Sequence, residues 1–111
     1  MSLAFRTETA ELEGRSVTFA VAELGNAVLV LVWEGPEPRW GATTVALPGA
    51  ASSQVLGDRD TTLGRALGGF LSRRTGKMAV VSTNLGQGYG ERFGPALLDL
   101  AGRLTEEKKD E

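Results

Sequence analysis

The side chains that most catalytic mechanisms use are scarce in this sequence. Histidine and cysteine are both absent from the 111 residues. Their absence removes the commonest general base, the Ser-His-Asp arrangement, cysteine nucleophiles, disulfides, and thiolate or histidine metal sites. The hydroxyl groups of Ser72, Ser82 and Thr83 have no evident activating base, so they are interpreted as structural. The sequence therefore predicts a protein that is not an enzyme.

Two short segments have some of the features of ligand sites. Residues 86–90, Gly-Gln-Gly-Tyr-Gly, follow a predicted strand and precede a predicted helix, as a phosphate-binding loop would. Their spacing misses GxGxxG and no P-loop lysine follows, so a flexible turn is favoured. Asp58 and Asp60 flank Arg59 in the manner of a two-carboxylate site for magnesium or calcium, but Asp60 is better placed to cap a helix. No cofactor or metal is predicted.

Charge and hydropathy argue against two classes of partner. The chain has 12 basic and 14 acidic residues, a net charge of −2, and no long basic run, which disfavours nucleic acid. The longest apolar stretch, residues 27–33, is far shorter than the roughly 20 residues that span a bilayer. With no charged-then-apolar leader at the start, the sequence predicts neither insertion into a membrane nor secretion.

Side-chain alternation and one apolar run predict four strands in the first half of the chain. They cover residues 3–12, 17–22, 27–33 and 40–47. The third is apolar at nearly every position, which predicts that both of its faces are covered. The segment from Pro48 to Asp60 is interpreted as a loop.

The second half predicts helix, strand and helix. The first helix follows the Asp60 cap and ends at Gly76, a strand covers residues 78–85, and the second helix starts at Pro95. Their apolar stripes are Leu63, Ala66, Leu67, Phe70 and Leu71, and Leu97, Leu100, Ala101 and Leu104. We therefore predict one α+β domain over residues 1–105, with an antiparallel sheet, two helices on one face, and a charged, solvated tail at 106–111.

Two helices on one face leave the other face of the predicted sheet uncovered. An exposed apolar patch of several hundred Å² is unusual for a monomer, so we expect a second copy or a related chain to bury it. The alternative is a sheet that curls enough to bury both faces itself. Alternation alone does not decide whether the valines or the leucines of the third strand face outward.

Residues 55–85 read VLGDRDTTLGRALGGFLSRRTGKMAVVSTNL. They contain, in order, a Leu-Gly-Asp opening, an acidic-threonine cap, an amphipathic helix ending in a basic-Thr-x-Lys turn, and a Val-Ser-x-Asn-Leu strand. In these features the chain resembles the eukaryotic proteasome assembly chaperone 4 family. The resemblance extends back through residues 17–32 and forward through 95–104. The chain departs from the pattern in its higher glycine and alanine content and in a slightly shorter loop before Thr61.

The resemblance implies a non-enzymatic chaperone of the cytoplasm and nucleus. Such a chaperone pairs sheet against sheet with a related small subunit, or with itself in isolation, and helps the α-subunits of the 20S proteasome form their ring. The valines of the third strand, with Leu29 and Leu31 as the alternative, are expected to contact the sister subunit; Trp40 and the loop at 56–62 are expected to contact an α-subunit. The candidate partner-binding residues are Val28, Val30, Val32, Trp40, Leu56, Asp58, Arg59, Asp60, Thr61 and Thr62.

Two other functions remain as alternatives. One is a dimerising scaffold for small GTPases, resembling roadblock or longin domains, which would place a helix among the first 50 residues. The other is a regulatory domain that binds a small ligand through the loop at residues 86–90.

Overall fold

The computed structural model describes residues 3–49, 52–57, 61–86 and 89–105. The α+β class is confirmed, and the strand β5 lies in the segment that we predicted as a loop. The elements, in chain order, are β1 (Arg6–Leu12), β2 (Arg15–Glu23), β3 (Ala27–Glu34), β4 (Ala42–Ala46), β5 (Ser53–Leu56), α1 (Thr61–Thr75), β6 (Met78–Asn84) and α2 (Tyr89–Leu104).

The six strands form one sheet in the order β1-β2-β3-β6-β4-β5. Strand β6 lies between β3 and β4, parallel to β3 and antiparallel to β4. The prediction of a purely antiparallel sheet is therefore wrong. The reason is the path of the chain: α1 carries it from β5, at the edge, back to the middle of the sheet, and a parallel neighbour requires such a long connection.

Both helices pack on the same face of the sheet, as predicted. Helix α1 lies against β4 and β6, and α2 lies against β1, β2 and α1. The larger side chains between the helices and the sheet are mostly valines and one phenylalanine from the strands and leucines from the helices. The fully buried large side chains of this core include Val17, Phe19, Val21, Val28, Val30, Val32, Leu67, Leu71, Val81 and Leu97.

Helix α1 approaches β4 closely because glycines occupy its sheet-facing positions. A Cβ atom at Gly64 would lie 2.4 Å from Thr44 Oγ1, and one at Gly68 would lie 3.2 Å from the Ala46 Cβ. Ala66, which we predicted on the buried stripe, is instead exposed. The helix ends as predicted at Gly76, whose φ of 71° suits glycine and whose N–H donates to the Ser72 carbonyl oxygen at 2.9 Å.

Helix α2 begins at Tyr89, before the predicted start, and bends once. Phe93 has non-helical dihedral angles (φ −115°, ψ 15°), and Pro95 follows two residues later. A proline lacks the N–H that a helix interior needs, so it is tolerated in the first turn after such a break. The predicted apolar stripe is confirmed, since Leu97, Leu100 and Ala101 are buried.

Arg74 joins the C-terminal ends of the two helices. Its Nε donates to Thr105 Oγ1 at 3.0 Å, and its Nη2 donates to the Thr105 carbonyl oxygen at 3.1 Å. Because Thr105 is buried, the Arg74→Met variant leaves its oxygens without these donors. We expect the free energy of unfolding in urea to fall by about 2 kcal/mol. The exposed neighbour provides the control: Arg73→Met should change it by less than about 0.5 kcal/mol, and equal losses would contradict the assigned role of Arg74.

Candidate interaction surface

One face of the sheet carries no helix in the described part of the chain. Directly paired residues of neighbouring strands lie on the same face, so the strand register identifies which side chains belong to it. The face runs from Ala20 and Leu31 on β2 and β3 to Val80 and Val45 on β6 and β4. We call it the open face, and its central residues are Ala20, Ala22, Leu29, Leu31, Trp33, Thr43, Val45, Val80 and Ser82.

The valines of β3 lie on the opposite side, under the helices. Val28, Val30 and Val32 are each 0% exposed and belong to the core. The prediction that they contact a partner is therefore wrong, because the helices of the same chain already cover them. Leu29 and Leu31, the alternative considered for this role, are partly exposed on the open face.

The exposed part of the open face is apolar. Leu29, Leu31, Val45 and Val80 are partly exposed, whereas Ala20, Ala22, Trp33, Thr43 and Ser82 are buried among their neighbours. Towards β1 the surface becomes polar. There the hydroxyl groups of Thr9 and Thr18 form a hydrogen bond, with 2.8 Å between their oxygens. A partner that buries apolar area would therefore centre on β3 and β6 rather than on β1.

Trp40 lies at one end of the open face, in the connection between β3 and β4. Its Nε1 donates to Thr43 Oγ1 at 2.8 Å, and its carbonyl oxygen accepts from Asn84 Nδ2 at 3.2 Å. The side chain is 52% exposed, whereas Trp33 is buried at 7%. The polar edge of the indole is thus held in place while its ring remains available, the arrangement favoured for aromatic residues at protein interfaces.

The fold brings Trp40 and Leu56 to the same corner. Thr43, which holds the Trp40 indole, pairs across β4 and β5 with Leu56, and Leu56 is 59% exposed. Thr62, on the first turn of α1, is also exposed. Of the other candidates, Thr61 begins α1, and Asp58, Arg59 and Asp60 lie outside the described residues.

Val45 and Val80 are open-face residues that are not among the predicted partner-binding residues. Each belongs to a strand that we predicted, and the alternation of β4 and β6 placed each on one of two faces. The sequence alone does not assign either valine to the exposed face. The assignment depends on the strand pairing, in which Val80 lies beside both Leu29 and Val45.

The start of the glycine-rich loop is occupied by a carboxylate of the same chain. The Gly86 N–H donates to Glu34 Oε1 at 2.9 Å, and Arg15 Nε lies 2.8 Å from Glu34 Oε2. A phosphate-binding loop instead directs free amides at an anion. In residues 3–49, 52–57, 61–86 and 89–105, no three acidic side chains converge as a metal site would require, and no helix could span a bilayer.

Comparison with known proteins adds no family to this description. No protein-family model matches the chain, and no curated protein sequence matches it significantly.

Proposed function

We propose that this protein is a non-enzymatic assembly chaperone, which pairs through its open face with the sheet of a related small subunit. The observation that carries the pairing is that one face of the sheet is covered by α1 and α2, while Leu29, Leu31, Val45 and Val80 on the other face are partly exposed. The client that we propose, the α-subunits of the 20S proteasome during ring formation, rests on the resemblance of residues 55–85 to the chaperone family.

The side chains of the open face suit sheet-on-sheet packing. Two sheets stack about 10 Å apart when their facing side chains interdigitate. Burying a leucine such as Leu29 or Leu31 contributes about 1.5–3 kcal/mol when its full area is removed from water. A specific interface of standard size needs about 800 Å² from each partner. That is about one eighth of this chain's 6402 Å² accessible surface.

The position of Trp40 adds to this surface. It projects at the end of the apolar centre and is fixed by its hydrogen bond to Thr43. An aromatic side chain held in this way loses little conformational entropy when a partner covers it. We expect it to contact the partner at the margin of the interface.

The two alternatives receive less support. Residues 3–49 form four strands and no helix, whereas the small-GTPase scaffold would place a helix among the early strands. The amide that begins the glycine-rich loop is bonded to Glu34, which leaves it unavailable to an anionic ligand. We therefore propose neither.

Affinity capture from a lysate of the source cells, followed by quantitative mass spectrometry, tests the proposed function. The wild-type chain should retain another small α+β subunit together with free proteasome α-subunits and little mature proteasome. The Leu31→Asp variant should retain at least about tenfold less of the small subunit, since it places a charge in the apolar centre. The Leu3→Asp variant is the control, because Leu3 is 56% exposed and lies outside the sheet.

Two results would contradict the proposal. Recovery of small GTPases, or of the bait alone, would remove the chaperone function. Equal retention of the small subunit by Leu31→Asp and wild type would show that pairing does not use the open face.

A further inference from the structure

We propose a second interaction surface, in which the outer edge of β5 binds an extended, acidic segment of a partner protein as a seventh strand of the sheet. Two arginines of α1, Arg65 and Arg73, would pair with carboxylates of that segment. This surface differs from the open face, which it adjoins at Leu56, and does not depend on the chaperone function.

The outer edge of β5 is suited to strand addition. β5 is the last strand of the sheet and pairs with β4 on one side only, so among the described residues its other side has no neighbouring strand. An edge strand of this kind presents backbone N–H and C=O groups to any extended chain that approaches. Its residues Val55 and Leu56 are 56% and 59% exposed.

The two edges of the sheet differ in how they are protected. Natural edge strands usually discourage pairing with charged residues or proline. β1, at the opposite edge, has the sequence RTETAEL, and its Arg6 and Glu8 form ion pairs with Glu23 and Arg103. β5 has the sequence SQVL, with no charge and no proline. The β5 edge therefore lacks charge and proline protection, and it is limited instead by its length of four residues and by the register shift of β4 between Thr43 and Thr44.

Arg65 and Arg73 have no ion-pair partner among the described residues. Every other described arginine is bonded: five of them pair with carboxylates, and Arg74 bonds to Thr105. The five are Arg6, Arg15, Arg39, Arg92 and Arg103. The outer side of α1 thus carries two positive charges that no carboxylate among the described residues neutralises.

These two arginines lie on the side of α1 that is next to β5. Ser52, which immediately precedes β5, donates from Oγ to the Arg65 carbonyl oxygen at 3.2 Å. A Cβ atom at Gly69, between the two arginines, would lie 3.7 Å from Ser52 Oγ and 3.2 Å from Arg73 Nη1. The Arg73 guanidinium therefore folds back towards the β5 side of the helix. A strand added at the edge would pass beneath both arginines.

The spacing of the arginines matches a simple acidic pattern. Residues 65 and 73 are eight positions apart, which is about 12 Å along an α-helix. Every second residue of a strand faces the same side, and residues i and i+4 are about 13 Å apart. Glutamates at i and i+4 of the added segment would therefore both face the helix layer, each near one arginine.

The same charges disfavour a second copy of this chain as the occupant. Twofold pairing of β5 with β5 would place two copies of α1 side by side, with Arg65 and Arg73 of one facing those of the other. Like charges brought together across such an interface are destabilising, whereas an acidic segment would neutralise them.

A peptide titration tests the proposal. The probe is an acetylated and amidated peptide, Val-Glu-Val-Thr-Val-Glu-Val-Thr, added to isotope-labelled protein while the backbone amide signals are followed by NMR. We expect shifts centred on β5 and the neighbouring side of α1. The Arg65→Gln/Arg73→Gln double variant should weaken binding by about tenfold, while Arg39→Gln, an exposed arginine elsewhere, should bind as wild type does.

Several outcomes would overturn the proposal. They are no binding up to about 1 mM peptide, equal binding of a peptide in which lysine replaces glutamate, and unchanged affinity in the double variant. Shifts centred on Leu29 and Leu31 would assign the peptide to the open face instead. A wild-type dimer in sedimentation that the Val55→Lys variant abolishes would assign the edge to a second copy of the chain.

Discussion

Replacing Val30 with aspartate is expected to unfold the protein, whereas the same substitution at its neighbour Leu31 is expected to leave it folded. Val30 is 0% exposed, and it pairs with Val21 on one side and with Val81 on the other, beneath the helices. A carboxylate there has no partner and loses its hydration, so we expect a loss of at least about 4 kcal/mol, a large part of the stability of a domain this size. Circular dichroism and urea denaturation would measure it.

Leu31 provides the matched comparison on the other face of the same strand. It is partly exposed on the open face, so a carboxylate at this position keeps much of its hydration. We expect a loss of about 1 kcal/mol, from the lower strand preference of aspartate and the lost apolar contacts. Unfolding of both variants would show that the sheet buries both faces within one chain. Unfolding of Leu31→Asp alone would reverse the assignment of the faces.

The second large effect is expected at Gly64, where α1 approaches β4. Even the Cβ atom of a larger residue would lie 2.4 Å from Thr44 Oγ1, and Thr44 is itself buried. The Gly64→Val variant should therefore force the helix away from the sheet, at a cost of about 3 kcal/mol in the free energy of unfolding. Urea denaturation, with the m value checked for a change in compactness, would measure the loss.

Gly69, on the outer side of the same helix, is the control for Gly64. A Cβ atom there would meet only the far end of the Arg73 side chain and the Ser52 hydroxyl, at 3.2 and 3.7 Å. Because alanine is a better helix former than glycine, Gly69→Ala should stabilise the protein by about 0.5–1 kcal/mol. If Gly64→Val were as stable as wild type, α1 would not depend on close contact with β4.

The two proposed surfaces are compatible with each other. A partner on the open face stacks against the plane of the sheet, whereas a strand added at β5 extends the sheet within its plane. Trp40, which is bonded to Thr43, and Leu56, which pairs with Thr43, lie where the two surfaces adjoin. A protein of this design could hold a related subunit with one surface and an extended segment of a client with the other.

Local patterns in the sequence predicted most of the elements but not β5. Five of the six strands and both helices were expected, because each has a period of two residues, a short apolar run or a period of about 3.6 residues. β5 has only four residues, Ser-Gln-Val-Leu, and lies between small and polar residues. A strand this short is defined by its hydrogen bonds to β4, and those pairings are not visible in its own sequence.

The mixture of parallel and antiparallel strands also could not be predicted from local sequence patterns. Predicted strands that follow one another in the chain were expected to be neighbours, which led to an antiparallel sheet. In the structure β6 separates β3 from β4, because the connection through α1 is long enough to return the chain to the centre of the sheet. Close packing of Gly64 and Gly68 against β4 then holds α1 across that position.

The sequence by itself determined the composition of the two faces of β3, valines on one and Leu29, Leu31 and Trp33 on the other. Only the tertiary structure decided which face is exposed. Alternation has a period but no direction, and both sets of side chains are apolar enough to form a core. The direction depends on the neighbouring strands: β2 places Phe19 and Val21 beside the valines and small alanines beside the leucines. The helices cover the side on which the neighbouring side chains are larger, since that side buries more apolar area. The leucines remain on the surface.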